Sequence, residues 1–443
     1  MNEKNGFSRS RWLILLLFGT IGQIAWTVEN MYFNLFVIDE IKYSLTAVTL
    51  MVQLSGIMAT LATLIAGTLS DKSGNRRSFI SYGYIIWGIT VALFGYISPS
   101  LAVNLFGVEM DSAVKMCLIA VIAGDCVMTL FGSTANDASF NAWVTDNTES
   151  SYRGKVEGVL AILPLLAMII VAGGFGMLVE GLGYATVFLI LGIVISLSGV
   201  AGIFIIKDNE ELKPSGSMKD IFYGFKPSVV KGNIPFYLTL LVVLIYGITC
   251  QIFMPYLIIY MKSYLGFGTL EYSIIFGLAI SVGAGVNLYL TRLSDRLDKT
   301  GLLRIAAIIL SAGLLAMYLS RGFGHTANLI TFGISGCVMI VGYIFISALS
   351  GSLVRDYTPE GEVGKLQGVR MVFSVLIPMV AGPMIGNGIN AIRKIPLQNP
   401  DQADTLTTAY IPAPEIFLAG AIFVLLILAV IPFLKRATSR VEK

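Results

Sequence analysis

Charge is scarce in this sequence: Asp, Glu, Lys and Arg make up 13% of the 443 residues, against 56% hydrophobic. A soluble domain carries about a quarter charged residues and about half apolar ones. With a mean hydropathy of +0.80, a water-soluble globular chain is excluded. Histidine occurs once, as His325 in a short loop, so no proton relay across the membrane can rest on imidazole. The four cysteines (Cys117, Cys126, Cys250, Cys337) lie in apolar segments without metal-ligand spacing. Buried membrane cysteine behaves as a small hydrophobe, so neither a disulfide nor a metal site is expected. The phosphate-binding patterns GxxxxGKS and GxxxxGKT do not occur, which excludes ATP-driven work. Nothing implies a cofactor or a nucleic-acid partner. A cleaved leader is not expected either, because MNEKNGFSRSRW runs into a segment apolar to about Val37. That is longer than a signal h-region and reads as a retained signal anchor.

Long apolar runs are what the chain has instead. A helix needs roughly 20 such residues to cross the hydrocarbon core of a bilayer. That ruler gives spans near 11–37, 46–70, 77–97, 113–142, 154–179 and 184–206, then 235–261, 269–291, 302–320, 327–353, 365–388 and 412–434. The expected fold class is all-α integral membrane, with 12 transmembrane helices as two pseudo-symmetric six-helix bundles. The bundles are 1–206 and 235–443, joined by a polar, Lys-rich central loop at 207–234 whose IFYGF (221–225) has the makings of a short interfacial helix. Placing both termini in the cytoplasm leaves only Lys42, Lys115, Lys262, Arg321, Arg393 and Lys394 of the 30 basic residues outside. This is the distribution the positive-inside rule demands.

The two halves repeat. VTDNTESSYRGKVEGV (Val144 to Val159) and VRDYTPEGEVGKLQGV (Val354 to Val369) share V-x-D-x-T, G-K and G-V at identical spacing, offset by 210 residues. LSD at 69–71 recurs at 293–295 with an offset of 224, which also pairs Tyr32 with Tyr256. Duplicated halves are the architecture of rocking transporters, with a solute held between them near the midplane.

The segment GTLSDKSGNRRSF (Gly67 to Phe79) closely resembles the loop motif of the major facilitator superfamily: G-x-L-x-D, a basic residue, x, G and two further basic residues. Asn75 replaces one basic position, and a degenerate copy, TRLSDRLDKTG, sits at 291–301. The resemblance implies a conformational latch of Gly67, Asp71, Gly74, Arg76, Arg77, Asp295 and Arg370. In it Asp71 would face the positive N-terminal end of span 11 and the Arg370 charge. The competing reading is a basic loop that serves orientation alone.

Polar residues inside the spans carry the rest. At 100° per residue, Gln23, Trp26, Thr27, Asn30 and Asn34 of span 1 share about 100° of arc. Amides and an indole suit a neutral, hydroxyl-rich ligand; the alternative is hydrogen-bonding glue between helices. Glu29 lies off the stripe, facing a neighbouring helix, with structural pairing and proton binding both open. Asp125 and Asp137 on span 4 stand 12 residues apart, about 18 Å along a helix, so they belong to separate sites. Asp125 aligns with Thr129 and Asn136, and Asp137 with Ser133 and Asn141. Position 137 corresponds to Ser347 in the second half, so the Asp137 carboxylate is no part of the duplicated scaffold. The candidate solute-binding residues are Gln23, Trp26, Asn30, Asn34, Asn136, Asp137, Asn141 and, on span 7, Gln251. The candidates for cation coupling are Asp137, Asp125 and Glu29.

GQIAWTVENMYFNLF on span 1, NDASFNAW on span 4 and the following D-x-T-x5-G-K are similar to the glycoside–pentoside–hexuronide:cation symporter branch and to sucrose-type transporters. The resemblance implies that Asp137, in its Asp-x-x-Phe context, contacts sugar and coupling cation, and that the protein works as a monomer. Where that branch has acidic residues on span 2 for sodium, this chain has Ala59 and Thr63; where it has a sugar-binding Asp on span 1, this chain has Ile24. The expected function is secondary transport of a small polar solute, a sugar or glycoside, in a bacterial inner membrane. A proton is the expected coupling ion and sodium the other candidate. Desolvation works against a charged carboxylate, which brings proton uptake and release within reach near neutral pH. The rivals are a multidrug or metabolite exporter of the same fold, a membrane-embedded transferase, and a solute sensor without flux.

Overall fold

The computed structural model of the chain describes residues 8–148, 153–208, 218–294, 298–359, 363–397 and 409–441. Apart from a two-residue antiparallel pairing of Ile395–Pro396 with Tyr410–Ile411, every regular element among them is helical. Lipid offers no hydrogen bonds to a backbone, so apolar runs of this length satisfy their own amides by coiling.

Among the described residues, eleven helices are long and apolar enough to cross a membrane. They are α1 (Arg9–Ile41), α2 (Leu45–Ser73), α3 (Arg76–Phe94), α4 (Met110–Asp146), the run Gly158–Ile205, α7 (Ile234–Ser263), α8 (Thr269–Val286), α9 (Lys299–Leu319), α10 (His325–Tyr357), α11 (Leu366–Arg393) and α12 (Glu415–Thr438). Side-chain caps start several of them: Ser8 accepts from Arg11 N, Asn75 from Ser78 N and Asp298 from Thr300 N, each satisfying a backbone donor that the first turn leaves open. The sequence predicts two spans, 154–179 and 184–206, and the run Gly158–Ile205, 48 residues in all, takes in most of both. At 1.5 Å per residue that is about 72 Å of helix, more than twice the hydrocarbon thickness of about 30 Å. Gly183 interrupts it with φ 77° and ψ 158°, a conformation that only glycine adopts cheaply. The parts before and after it are labelled α5 (153–182) and α6 (184–205).

Among the described residues, five π-helical turns lie within the spans: Glu29–Phe33, Val37–Ile41, Ser133–Phe140, Val171–Phe175 and Val372–Leu376. Each replaces i→i+4 hydrogen bonding by i→i+5, and so shifts every later side chain around the helix by about 100°. The single 100° wheel used for span 1 therefore fails beyond Glu29.

The chain divides into two compact units: Met1–Lys42 with Ile57–Met218, and Tyr43–Gly56 with Lys219–Lys443. In unit 1, α3 packs on α6 and α4, and α1 on α5. In unit 2, α9 packs on α12 and α10, and α7 on α11. The pairings 1·5 and 3·6 thus return as 7·11 and 9·12, which is the duplication expressed as helix contacts. The first turns of α2 belong to unit 2, where Thr49 Oγ1 lies 2.8 Å from the Tyr256 hydroxyl and Gln53 Nε2 donates to Val380 O at 2.8 Å. IFYGF falls within a 3-10 helix, Met218–Phe225, and the Gly224 carbonyl accepts from the Tyr237 hydroxyl of α7.

Candidate functional site

The polar centre of unit 1 is built on the π-helical turn of α4. Asp137 is half-buried there. Ser133 Oγ donates to its Oδ2 at 3.0 Å and Asn136 Nδ2 to its Oδ1 at 3.3 Å, while the Trp26 indole of α1 stands beside the carboxyl. Among the described residues no Lys or Arg forms an ion pair with it. Asn136 is itself 3% exposed. Its Oδ1 lies 2.9 Å from the Tyr84 hydroxyl, a donor shared with the Phe18 carbonyl at 2.8 Å. Aromatic rings close this end: Phe18 and Tyr84 at 4.9 Å between centroids, Trp26 and Trp87 at 4.9 Å, Tyr84 and Trp87 at 5.4 Å. The backbone comes close as well. A Cβ at Gly22 would sit 2.4 Å from Asn136 Oδ1 and 2.7 Å from the Tyr84 hydroxyl, so that position has no room for a side chain. The result is a chain of hydrogen bonds, Tyr84 to Asn136 to Asp137, with Ser133 on the other carboxyl oxygen. It holds one carboxyl in a fixed place while leaving it partly accessible.

Tyr84 and Trp87 of α3 escape the sequence reading, although two large aromatics that carry polar groups, three residues apart in an apolar span, were a visible signal. The span 1 candidates are scattered. Gln23 and Trp26 are half-buried and Asn30 is exposed, with Asn30 Nδ2 donating to Trp26 O at 2.7 Å. Asn34, expected on the same face, is 2% exposed. Its Nδ2 donates to Asn30 O at 3.0 Å, and the π turn between 29 and 33 is what rotates it away. Asn141 is exposed and donates to the Asp137 carbonyl at 3.1 Å. Gln251 belongs to unit 2, where its Cβ lies against Gly382 of α11.

A second acidic pair lies further along α1 and α4. Glu29 is 7% exposed and its Oε1 accepts from Thr129 Oγ1 at 3.1 Å. Asp125, 1% exposed, sits one turn before Thr129, and the Cys126 thiol lies within electrostatic reach of both carboxyls.

At the end of α2, Asp71 pairs with Arg76 of its own unit. Arg76 is 4% exposed, and its guanidinium also reaches Asp146 Oδ2 at 3.0 Å and Ser70 Oγ at 2.6 Å. Asp146 is the aspartate of the repeated V-x-D-x-T; its counterpart Asp356 accepts from Lys299 Nζ at 2.6 Å. In each unit, therefore, the repeated aspartate is held by a base at the start of α3 or α9. Arg77 ties the loop to the end of α6, its amide donating to Asp208 Oδ1 at 2.9 Å and its guanidinium to the Ile203 carbonyl. Gly74 has φ 64°, a left-handed turn that favours glycine. A Cβ at Gly67 would meet only Ala138 Cβ at 3.9 Å, so an alanine fits there. Asp295 lies outside the described residues, and Arg370 lies on the wall of a cavity in unit 2.

Residues 12–383 match the sequence profile of the Major Facilitator Superfamily. The chain is 28% identical over 255 residues to a protein of Lactococcus lactis subsp. lactis named as a multi-drug resistance efflux pump PmrA homolog. That alignment covers 56% of this chain and 60% of the relative's length. Among solved structures, the nucleoside transporter NupG superposes with a TM-score of 0.67 at 12% identity, over 95% of this chain and 99% of the other. A bacterial homolog of the lysosomal transporter Spinster, inward-facing and unoccupied, gives 0.66 at 13% identity over 97% and 98%. A bacterial homologue of the iron transporter ferroportin, outward-facing with soaked iron, gives 0.63 at 16% over 96% and 98%.

Proposed function

The chain belongs to the major facilitator superfamily, an integral membrane transporter and not an enzyme, and from that premise we propose that it is a proton-coupled carrier of a small hydroxylated solute, a sugar or glycoside. The polypeptide crosses the membrane twelve times, Gly183 dividing the 48-residue run into two crossings, with both termini in the cytoplasm. The solute moves by alternating access. The observation that supports this reading best is Asp137: a carboxyl half-buried on a π-helical turn, hydrogen-bonded by Ser133 and Asn136 without a basic partner among the described residues. A structural carboxylate inside a membrane is normally neutralised by a fixed cation. One without such a partner can be neutralised by a proton instead, and the halves can then move without carrying a bare charge through lipid. Trp26 beside it offers an apolar ring face for sugar C–H groups, and the exposed amides of Asn30 and Asn141 offer donors and acceptors for hydroxyls.

The test is uptake of labelled mono- and disaccharides into vesicles holding the purified chain, with and without a protonophore and with and without sodium. Protonophore-sensitive accumulation is expected, and Asp137→Asn should abolish accumulation while leaving counterflow exchange of the same sugar. Full accumulation by Asp137→Asn would sink the mechanism. A second reading, export of amphipathic compounds, is favoured by the efflux-pump relative. It would replace the first if expression lowered cellular dye content and no sugar was transported.

A further inference from the structure

The segment MKDIFYGFKPSVVKGN (Met218 to Asn233) leads into α7 and lies outside the eleven spans; from Lys219 onward it belongs to unit 2. Lys219, Lys226 and Lys231 outnumber its one acid, Asp220. Met218–Phe225 is the 3-10 helix and Pro227–Gly232 a short α-helix. Runs of 3-10 helix beyond three or four residues are uncommon, and this one has eight. With three residues per turn, side chains at i and i+3 eclipse, so the helix carries three straight rows.

Two of those rows are held by the protein. In the first, the Ile221 carbonyl lies against Gly368 of α11, and Gly224 lies so close to the same turn that a Cβ on it would be 2.7 Å from Val369 Cγ1. In the second, Tyr223 packs on the buried cluster of Phe236, Leu240, Leu366 and Val369. Lys226, just past the helix, sets its Nζ 5.4 Å from the centre of the Tyr223 ring. The third row is Phe222 and Phe225, and these are 69% and 44% exposed. The height of the helix is fixed as well. The Gly224 carbonyl accepts from the Tyr237 hydroxyl in the first turn of α7, and Gly368 stands in the first turn of α11. The two outward rings therefore lie level with the place where both helices enter the membrane. Ile234, the first residue of α7, is itself 47% exposed, so the lipid-facing surface of α7 runs on towards them.

Exposed apolar groups rimmed by polar ones mark an interaction surface. Segments that lie in a membrane interface carry Trp, Phe or Leu on one face and Lys on another, with the apolar face seated about 5–10 Å into the boundary between headgroups and acyl chains. We propose that Phe222 and Phe225 are seated in that boundary, in the leaflet where α7 and α11 begin, and that the exposed Lys226 and Lys231 hold anionic lipid headgroups beside them. The partner is the lipid surface, matched by the basic excess of the segment and reached without a break from α7. Because the helix is fixed to α7 and α11, this anchor sets their height in the leaflet and makes lipid charge an input to unit 2. It holds whichever solute is carried.

The experiment places a nitroxide label on Phe222→Cys or Phe225→Cys in the full-length chain, reconstituted in nanodiscs of phosphatidylcholine alone or mixed equally with phosphatidylglycerol. Wild type labelled in the same way gives the background of the four native cysteines, and Lys72→Cys, exposed at the end of α2, gives the aqueous reference. Unfolding midpoints in detergent close to wild type show that each variant is folded, as expected for exposed positions. Labels at 222 and 225 should collide with oxygen more often than with a water-soluble nickel chelate, and should be shielded from the chelate at least fivefold relative to position 72. Shielding should increase with phosphatidylglycerol. In the background Lys226→Gln/Lys231→Gln that increase should vanish, since each Lys near an anionic surface is worth roughly fivefold. Labels at 222 and 225 as open to the chelate as position 72 would overturn the proposal and leave the row as a face for a soluble partner. Shielding indifferent to both phosphatidylglycerol and the lysine pair would overturn it too.

Discussion

Replacing Arg76 by Ala removes three contacts at once, and their surroundings set the cost. The bond to Asp146, whose side chain is 21% exposed, is charge-assisted and mostly shielded, worth about 1.5–3 kcal/mol. The pair with Asp71, 42% exposed, is screened by water and contributes about 0–1 kcal/mol. Ser70 is fully buried and already donates to Gly67 O at 3.1 Å, so it loses an external donor without being left with an orphan hydrogen; about 1 kcal/mol is reasonable. The total, about 2.5–5 kcal/mol, overlaps the usual cost of about 3–5 kcal/mol for removing one partner from a buried ion pair. Arg76→Lys keeps the charge but not the fork that spans three partners, and should lose roughly half as much. The assay is thermal unfolding in detergent of the wild type, Arg76→Ala, Arg76→Lys, Asp146→Asn and the double variant Arg76→Ala/Asp146→Asn. The double variant should recover part of the loss, since the carboxylate left without its base is gone. Strict additivity of the two single variants, or an Arg76→Ala midpoint equal to wild type, would refute the assignment of Arg76 as the tie between α2, α3 and α4.

Gly22→Ala places a methyl group 2.4 Å from Asn136 Oδ1. An overpacking cost of about 1–3 kcal/mol and a lowered unfolding midpoint are expected, with partial rescue by Asn136→Ala; a midpoint within error of wild type would show that α1 and α4 have room to separate. At Asp298, burial acts to raise the carboxyl, but the Thr300 hydroxyl and amide hydrogen bonds and Lys435 at 3.7 Å outweigh it and hold it below the usual carboxylate range. A folded value below the unfolded one, near 3.9, gives stability that is complete above that pH and lost as pH falls through the folded value. Unfolding midpoints followed from pH 7 to pH 3 should therefore drop more steeply for wild type than for Asp298→Asn, and parallel curves would refute the capping role.

The spans were legible because they depend on composition summed over twenty residues, where single exceptions average out, and the repeat because the same residues recur at a fixed offset. The π turns were invisible for the opposite reason: one extra residue in a turn changes no composition, yet it moved Asn34 from the expected stripe into the interior. Asp137 could be singled out because a lone carboxylate in an apolar run is costly, whereas its support could not, since Tyr84 and Asn136 meet only once α3 lies against α4. The basic loop after α2 was legible as a motif, but its energetics were not. Arg76, which reads as a surface charge, is 4% exposed, because the aspartate of the V-x-D-x-T repeat reaches it from 70 residues away. The unit boundary was hidden as well, because nothing in the α2 sequence says that residues 43–56 group with the second unit.

The paired ties, Arg76 to Asp146 and Lys299 to Asp356, have a consequence in time. Both partners of the first have been made by residue 146, whereas the second awaits residue 356, about 10–40 s later at roughly 5–20 residues per second. The ends of α2, α3 and α4 can therefore be tied together while the rest of the chain is still being made. The first turns of α2 cannot, because Gln53 donates to Val380 O, and the Thr49 hydroxyl, though bonded to Leu45 O in its own turn, meets Tyr256 as well. For much of its synthesis the nascent protein holds one half-finished helix in trust, its polar face waiting in the translocon or against lipid for a hydroxyl and a carbonyl not yet made.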